Sequence, residues 1–212
     1  MSEGRAYGGE SAETRSTRRR RQLLDAGRVV FGTTGFRKAT VRQLCREARV
    51  NDRYFYEEFA TTEDLLLSVY DECQLELRGA VTTAVAMLGT DAALDEVIRA
   101  GLQAFLSCIQ DDPHIGRLLW FEVVGVNEKV DQRHMQRSRE FGELIGLILE
   151  ARGMRIAGQT PTGRSLLLTA IVGGINQVSM DWVAAGCLIK RADVVASLST
   201  FIRNAIAVSP VG

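Results

Sequence analysis

In the stretch TVRQLCREARVNDRYFYEEF, Thr40 to Phe59, the side chains able to do chemistry are hydrogen-bonding groups rather than nucleophiles. Asn51 and Arg53 are the types that pair in bidentate fashion with the edges of adenine and guanine, and Tyr54 stands beside them. Thr40 and Arg42 open a preceding helix, where backbone N–H groups and the helix dipole favour a phosphate. Tyr56 can brace its helix with the ring and reach a phosphate with the hydroxyl. Glu57 and Glu58 run against this pattern, because a polyanion repels carboxylates. Glu57 follows Arg53 by one helical turn on the same face. It suits two tasks there: accepting from a cytosine amino group, or holding the Arg53 guanidinium for guanine. Glu58 falls towards the edge of that face and is expected to be a solvated surface acid.

No catalytic set accompanies these residues. His114 and His134 are isolated, and Cys45, Cys73, Cys108 and Cys187 form no CxxC pair. That usage fits small buried hydrophobes in a reducing compartment. No Ser/His/Asp, Cys/His, paired-carboxylate or phosphate-loop arrangement stands out, although RHMQRSRE, 132–139, has room for a lone acid–base residue. Neither enzyme activity, nor a cofactor, nor a metal is expected.

The chain has 212 residues, 46% of them apolar and 25% charged, with only 3 prolines. This is the composition of a globular protein built from long helices. The net charge is zero, but residues 1–60 hold 13 Lys+Arg against 8 Asp+Glu, leaving 13 against 18 for residues 61–212. A basic first segment on an acidic remainder confines any polyanion footprint to the first segment. The N-terminus lacks the apolar core of a secretory signal, and the most apolar run, LLLTAIVGGI at 166–175, is too short to span a bilayer. A cytoplasmic protein with no membrane partner is expected.

Residues 1–16 are small and polar and are expected to be a disordered tail. A helix is expected from Thr17, with Leu23, Gly27, Val30 and Phe31 on one face, ending at Gly35. Its basic run Arg18 to Arg21 is either a solvated face or an arm to phosphates or the minor groove. Thr40 and Gln43 form a capping box for a second helix carrying Val41, Leu44, Cys45 and Ala48. Asn51 caps a third with Phe55 and Phe59 inward. A fourth runs over 62–88. Beyond Gly89, helical period persists over 92–110, 113–125, 128–152, 163–186 and 191–207. The expected fold is all-α.

The run 23–66 resembles the N-terminal domain of the TetR family of transcriptional regulators. The matching residues are Leu23-Leu24-Asp25-Ala26, Phe31, Gly35-Phe36, Thr40-Val41, Leu44, Ala48, Val50, Tyr56, Phe59, Glu63 and Leu65, in ungapped register. The resemblance implies a helix-turn-helix module over 17–62, continuing into a larger helical effector-binding and dimerisation domain over 63–212. Candidate DNA contacts are then Arg18, Arg19, Thr40, Arg42, Asn51, Arg53, Tyr54, Tyr56, Glu57 and Thr62. Three departures stand out. Arg49 replaces the glycine usual in the turn, Thr62 replaces a phosphate-binding lysine, and Glu57 and Glu58 replace neutral or basic residues.

The C-terminal helices say less. Helix 163–186 is apolar almost all round and is expected to be buried on every side. The resemblance implies that it and helix 191–207, with Leu198 and Phe201 among its apolar residues, pair with their copies in a homodimer; the residues alone suit that or a deep core within one chain. Phe105, Trp120, Glu122, Phe141, Asn176 and Met180 are candidates to line an effector site, with Glu122 on a solvent face as the plain alternative. The implied function is a sequence-specific DNA-binding repressor of a palindromic double-stranded operator, released by a small-molecule effector. The alternative is a helical small-molecule binder or scaffold that has lost operator recognition.

Overall fold

The computed structural model describes residues 11–153 and 160–206. Those residues are helical, without a strand: α1 (Ala12–Thr33), α2 (Val41–Ala48), α3 (Asp52–Glu58), α4 (Thr62–Ala86), α5 (Leu94–Asp111), α6 (Pro113–Arg117), α7 (Glu128–Glu150), α8 (Pro161–Ala184) and α9 (Arg191–Ala205). The chain divides into two compact units, one ending at Val69 and one beginning at Tyr70. The sequence placed that division at residue 62, where α4 begins.

In the first unit α1 packs on α2 and α3. Leu23, Phe31, Leu44, Phe55, Leu65 and Leu66 are fully buried, and each such side chain contributes about 1.5–3 kcal/mol on leaving water. Gly27 lets α1 approach α4 closely, since a Cβ there would lie 3.0 Å from Val69 Cγ2. α1 starts five residues before the expected Thr17. Ser11 caps it, its hydroxyl accepting from the Thr14 N–H at 3.0 Å. Residues 12–16, expected in a tail, are therefore helix, while residues 1–10 lie outside the described residues. α1 ends at Thr33, and Gly35 follows with φ 90°, a value that side-chain-bearing residues avoid.

In the second unit α5 packs on α9, α7 on α8, and α8 on α9. Asp112 caps α6 through the His114 N–H at 2.8 Å, with Pro113 in the first turn. The expected helix 113–125 is not continuous. After Arg117 it widens into a π-helical turn, Leu118–Glu122, which buries Leu118, Leu119 and Trp120. α8 also departs from expectation. Its mean hydropathy would suit a bilayer span, but only 33% of its most apolar window is buried, and Leu166 and Val178 are 66% and 40% exposed. The apolar pattern does not distinguish a face packed within the chain from one awaiting a partner. α9 ends at Ala205, and position 207 lies outside the described residues.

Candidate nucleic-acid interface

Thr40 caps α2, its hydroxyl accepting from the Gln43 N–H at 3.2 Å. The expected reciprocal half of the capping box is absent. The Gln43 amide donates instead to Thr34 Oγ1 at 3.0 Å, tying α2 to the end of α1. Arg49 closes α2 in the left-handed region, φ 56° and ψ 40°, while Val50 N–H reaches back to the Cys45 carbonyl at 3.0 Å. A non-glycine residue there costs about 1–2 kcal/mol. The turn keeps its geometry in spite of the missing glycine.

Asn51 then caps α3, its Oδ1 accepting from the Arg53 N–H at 3.0 Å. That oxygen is the acceptor that bidentate pairing with adenine requires, so the cap and the base contact compete for one atom. Arg53 follows with a side chain 84% exposed. Its Nε donates to Glu57 Oε1 at 3.2 Å, and the two terminal nitrogens make no contact among the described residues. Tyr56 is 61% exposed, its ring meeting Phe55 edge-on at 5.3 Å. Tyr54 is 39% exposed and lies beneath Arg19, whose guanidinium carbon is 4.3 Å from the ring centroid.

The two acids connect this helix to α1. Glu57 Oε2 lies 3.5 Å from Arg19, so one carboxylate faces an arginine from each helix. Glu58 is not the solvated acid expected. Its side chain is only 8% exposed, and its Oε1 accepts from Ser16 Oγ at 2.6 Å and lies 3.8 Å from Arg19. Its backbone carbonyl accepts from Arg20 at 3.1 Å, and the Arg20 guanidinium stacks over Phe59. Arg18 to Arg21 all lie within α1. They occupy an ordered helix whose first turns are fastened to α3, and Arg21 pairs along the helix with Asp25 at 2.7 Å.

Arg42 and Arg46 line one surface depression with Thr40, Gln43, Val50 and Asn51, and neither guanidinium is paired among the described residues. The sequence reading missed Arg46. Its signal was the spacing of one turn from Arg42 on an exposed face. Thr62 gives its hydroxyl to Glu63 at 3.2 Å, while Thr61 caps α4 through the Asp64 N–H at 3.1 Å. Cys45, buried at the back of α2, has its thiol pushed up to about 11 by burial and by Asp52, and stays protonated at neutral pH.

Among the candidate effector residues, Phe105, Trp120, Phe141 and Asn176 line one cavity in the second unit, together with Gln74, His134 and Ser138. Glu122 and Met180 do not line it. Glu122 pairs with Arg117 at 2.8 Å and is 10% exposed, on neither the cavity wall nor an open solvent face. Gln74, His134 and Ser138 escaped the sequence reading because they stand in charged, amphipathic runs.

The sequence profile of bacterial regulatory proteins of the tetR family matches residues 23–69. Among solved structures, the fatty acid degradation regulator FadR from Bacillus halodurans superposes with a TM-score of 0.74 at 16% identity, over 90% of this chain and 97% of that one. The transcriptional regulator FadR from Bacillus subtilis, in complex with stearoyl-CoA, gives 0.74 at 18% identity over 88% and 98%. A tetR family regulator from Shewanella sp. PV-4 gives 0.69 at 18% identity over 90% and 99%. At these identities the superpositions establish a common fold.

Proposed function

We infer that the chain belongs to the tetR family of bacterial regulatory proteins and acts as a cytoplasmic, homodimeric repressor that binds operator DNA and releases it on binding a small molecule. The observation that carries this reading is Arg53. It stands near the start of α3 with its terminal nitrogens unoccupied and its Nε held by Glu57. Two adjacent free N–H donors of a fixed guanidinium match O6 and N7 of guanine. Arg53 is therefore the principal base reader, with Tyr54 beside it, and Asn51 serves chiefly as the cap.

Thr40, Arg42, Arg46 and Tyr56 take phosphates, which fix register without reading sequence. Arg18 adds a phosphate contact from α1. Arg19, stacked on Tyr54 and facing Glu57, is a positioning residue. Thr62 contributes little beyond its place near the start of α4.

The homodimer rests on the exposed apolar side chains of α8 and α9. Leu166 is 66% exposed, Phe201 41% and Val178 40%, and a second copy would cover them. Two such modules would read half-sites one helical turn apart, about 34–36 Å. The effector site lies among the buried rings of the second unit. The relative crystallised with stearoyl-CoA favours an effector with a large apolar part.

Genomic fragments captured by the purified full-length chain, sequenced and then titrated against a scrambled fragment, test this reading. The expected result is a palindromic fragment bound by a dimer, with affinity falling steeply with salt at a log–log slope of about 0.9 per phosphate contacted. Equal affinity for captured and scrambled fragments would overturn it in favour of a helical binder that has lost operator recognition.

A further inference from the structure

Two chambers in the second unit meet at one pair of rings. The first is lined by side chains without a polar atom, among them Val81, Ile98, Leu102, Ile145, Ile175 and Ile202. The second has Gln74, Trp120, His134, Ser138 and Asn176 in its wall. Phe105 and Phe141 line both, their centroids 5.7 Å apart and their planes tilted by 58°. One side of this pair of rings is wholly apolar, and the other offers hydrogen bonds.

Several of those groups are donors. The Tyr70 hydroxyl accepts from the Gln74 amide at 2.9 Å and lies 3.0 Å from His134 Nδ1. In the tautomer in which Tyr70 gives its proton to Nδ1, the imidazole proton sits on Nε2 as a further donor. Burial holds the His134 ring below the ordinary histidine value, so it is neutral around pH 7, with Asp131 opposing that shift. Asn176, Ser138 and the Trp120 indole N–H have no hydrogen-bond partner among the described residues. No Asp, Glu, Lys or Arg lines either chamber. An ionised carboxylate brought there would lose its water without gaining a cation. A neutral carbonyl oxygen would lose little and gain two or more donors.

We propose that the second chamber holds the neutral carbonyl of an ester, thioester, lactone or ketone at Asn176, Ser138 and His134, while its alkyl tail passes Phe105 and Phe141 into the first chamber. This rests on the reading that the second unit binds an effector, and it names the effector's chemical class. The open space is small: the centres of water-sized molecules fit over ≈ 60 Å³ in the first chamber and ≈ 20 Å³ in the second. Entry therefore displaces the two phenylalanine rings and changes the surroundings of Trp120.

The test compares three probes with one tail, methyl octanoate, octanoate and octane, titrated into the full-length protein without DNA and followed by tryptophan fluorescence and calorimetry. Methyl octanoate is expected to bind at least about ten-fold more tightly than either of the others, as a carbonyl gaining one or two net hydrogen bonds should. Asn176→Asp, which keeps the shape and replaces the amide donor by a charge, should reduce ester affinity about ten-fold and leave octane within a factor of about two. Octanoate binding as tightly as the ester would overturn the proposal. So would an unchanged ester-to-octane ratio in Asn176→Asp. The ranking of probes on the unaltered protein decides the matter even if the variant fails to fold. Ester binding by a chain that ignores captured DNA would sink the repressor reading alone, and operator binding without ester binding would sink this proposal alone.

Discussion

On α3, Arg53 gives one nitrogen to Glu57 and leaves the other two in solvent, at 84% side-chain exposure. Between α4 and α7, the arginines are used up. Arg133 places Nε and a terminal nitrogen on Asp71 at 3.1 and 2.6 Å, and Arg137 reaches Asp71 at 2.8 Å and Glu140 at 2.7 Å. Arg78 completes the group at 3.1 Å from Glu140. The same two functional groups thus serve different ends. In the second unit they close on each other and join two helices. On α3 the carboxylate orients an arginine without satisfying it, which leaves donors for another molecule. An exposed pair in that order along a helix is worth only a few tenths of a kcal/mol, so the contact with Arg53 adds little to stability. Counting ion pairs would miss the distinction; counting unused donors reveals it.

The largest effect should come from breaking the closed cluster. Asp71→Ala leaves Arg133 and Arg137 facing each other without their shared acceptor, and should lower stability by about 2–3 kcal/mol. Urea unfolding of the full chain measures this, and operator affinity should be unchanged where the variant is folded. A loss under about 0.5 kcal/mol would place this cluster with ordinary surface pairs. The open pair should behave in the opposite way. Arg53→Ala should cost about 1–3 kcal/mol of operator affinity and leave stability within about 0.5 kcal/mol, as calorimetry and melting would show. Loss of stability without loss of affinity would reverse the assignment.

Arg49→Gly tests whether the turn before α3 stores strain. Removing the side chain from φ 56° should raise stability by up to about 1 kcal/mol, with operator discrimination unchanged. The smallest effect concerns pH. His134 is depressed when folded, so below its ordinary value near 6.5 the unfolded chain takes up a proton that the folded chain refuses. Stability should therefore fall as pH drops from 7 to 5, by at most about 1.4 kcal/mol per pH unit for one group, and His134→Gln should flatten the slope. Asp71 acts in a lower window. Burial pushes its carboxyl up, but Arg133 and Arg137 outweigh that and hold it below the ordinary value of 3.8. Its contribution is complete above that value and lost beneath it.

The helices and their caps were legible in the sequence because their signals are local. Thr40, Asn51 and Asp112 each hydrogen-bond within the next turn, and the stripes through Leu23, Phe31, Leu44 and Phe55 repeat at helical period. The role of Glu58 was not legible, because its partner Ser16 is 42 residues away in a segment that composition marks as a tail. The half-used capping box has the same cause, since Gln43 turns from its own helix to Thr34. Leu198 marks another limit. Its pattern suited an interface as well as a core, yet it is 2% exposed in the single chain, while Phe201 is 41% exposed. Phe201→Arg, rather than Leu198→Arg, is therefore the substitution that would probe self-association. Four ring and amide residues of the cavity could be picked out as apolar or isolated, but Gln74, His134 and Ser138 required knowing that α4 and α7 face each other there.

Glu57→Gln tests the central claim most directly, because it removes the charge that orients Arg53 and keeps the shape. Affinities for the captured operator and for random duplex, measured side by side at one salt concentration, give the result. With one repulsive charge gone, binding to random DNA should strengthen. The operator-to-random ratio should shrink by about 1–3 kcal/mol, as Arg53 loses its fixed approach to guanine. Equal tightening on both DNAs would contradict the account and leave Glu57 as a charge without a part in recognition.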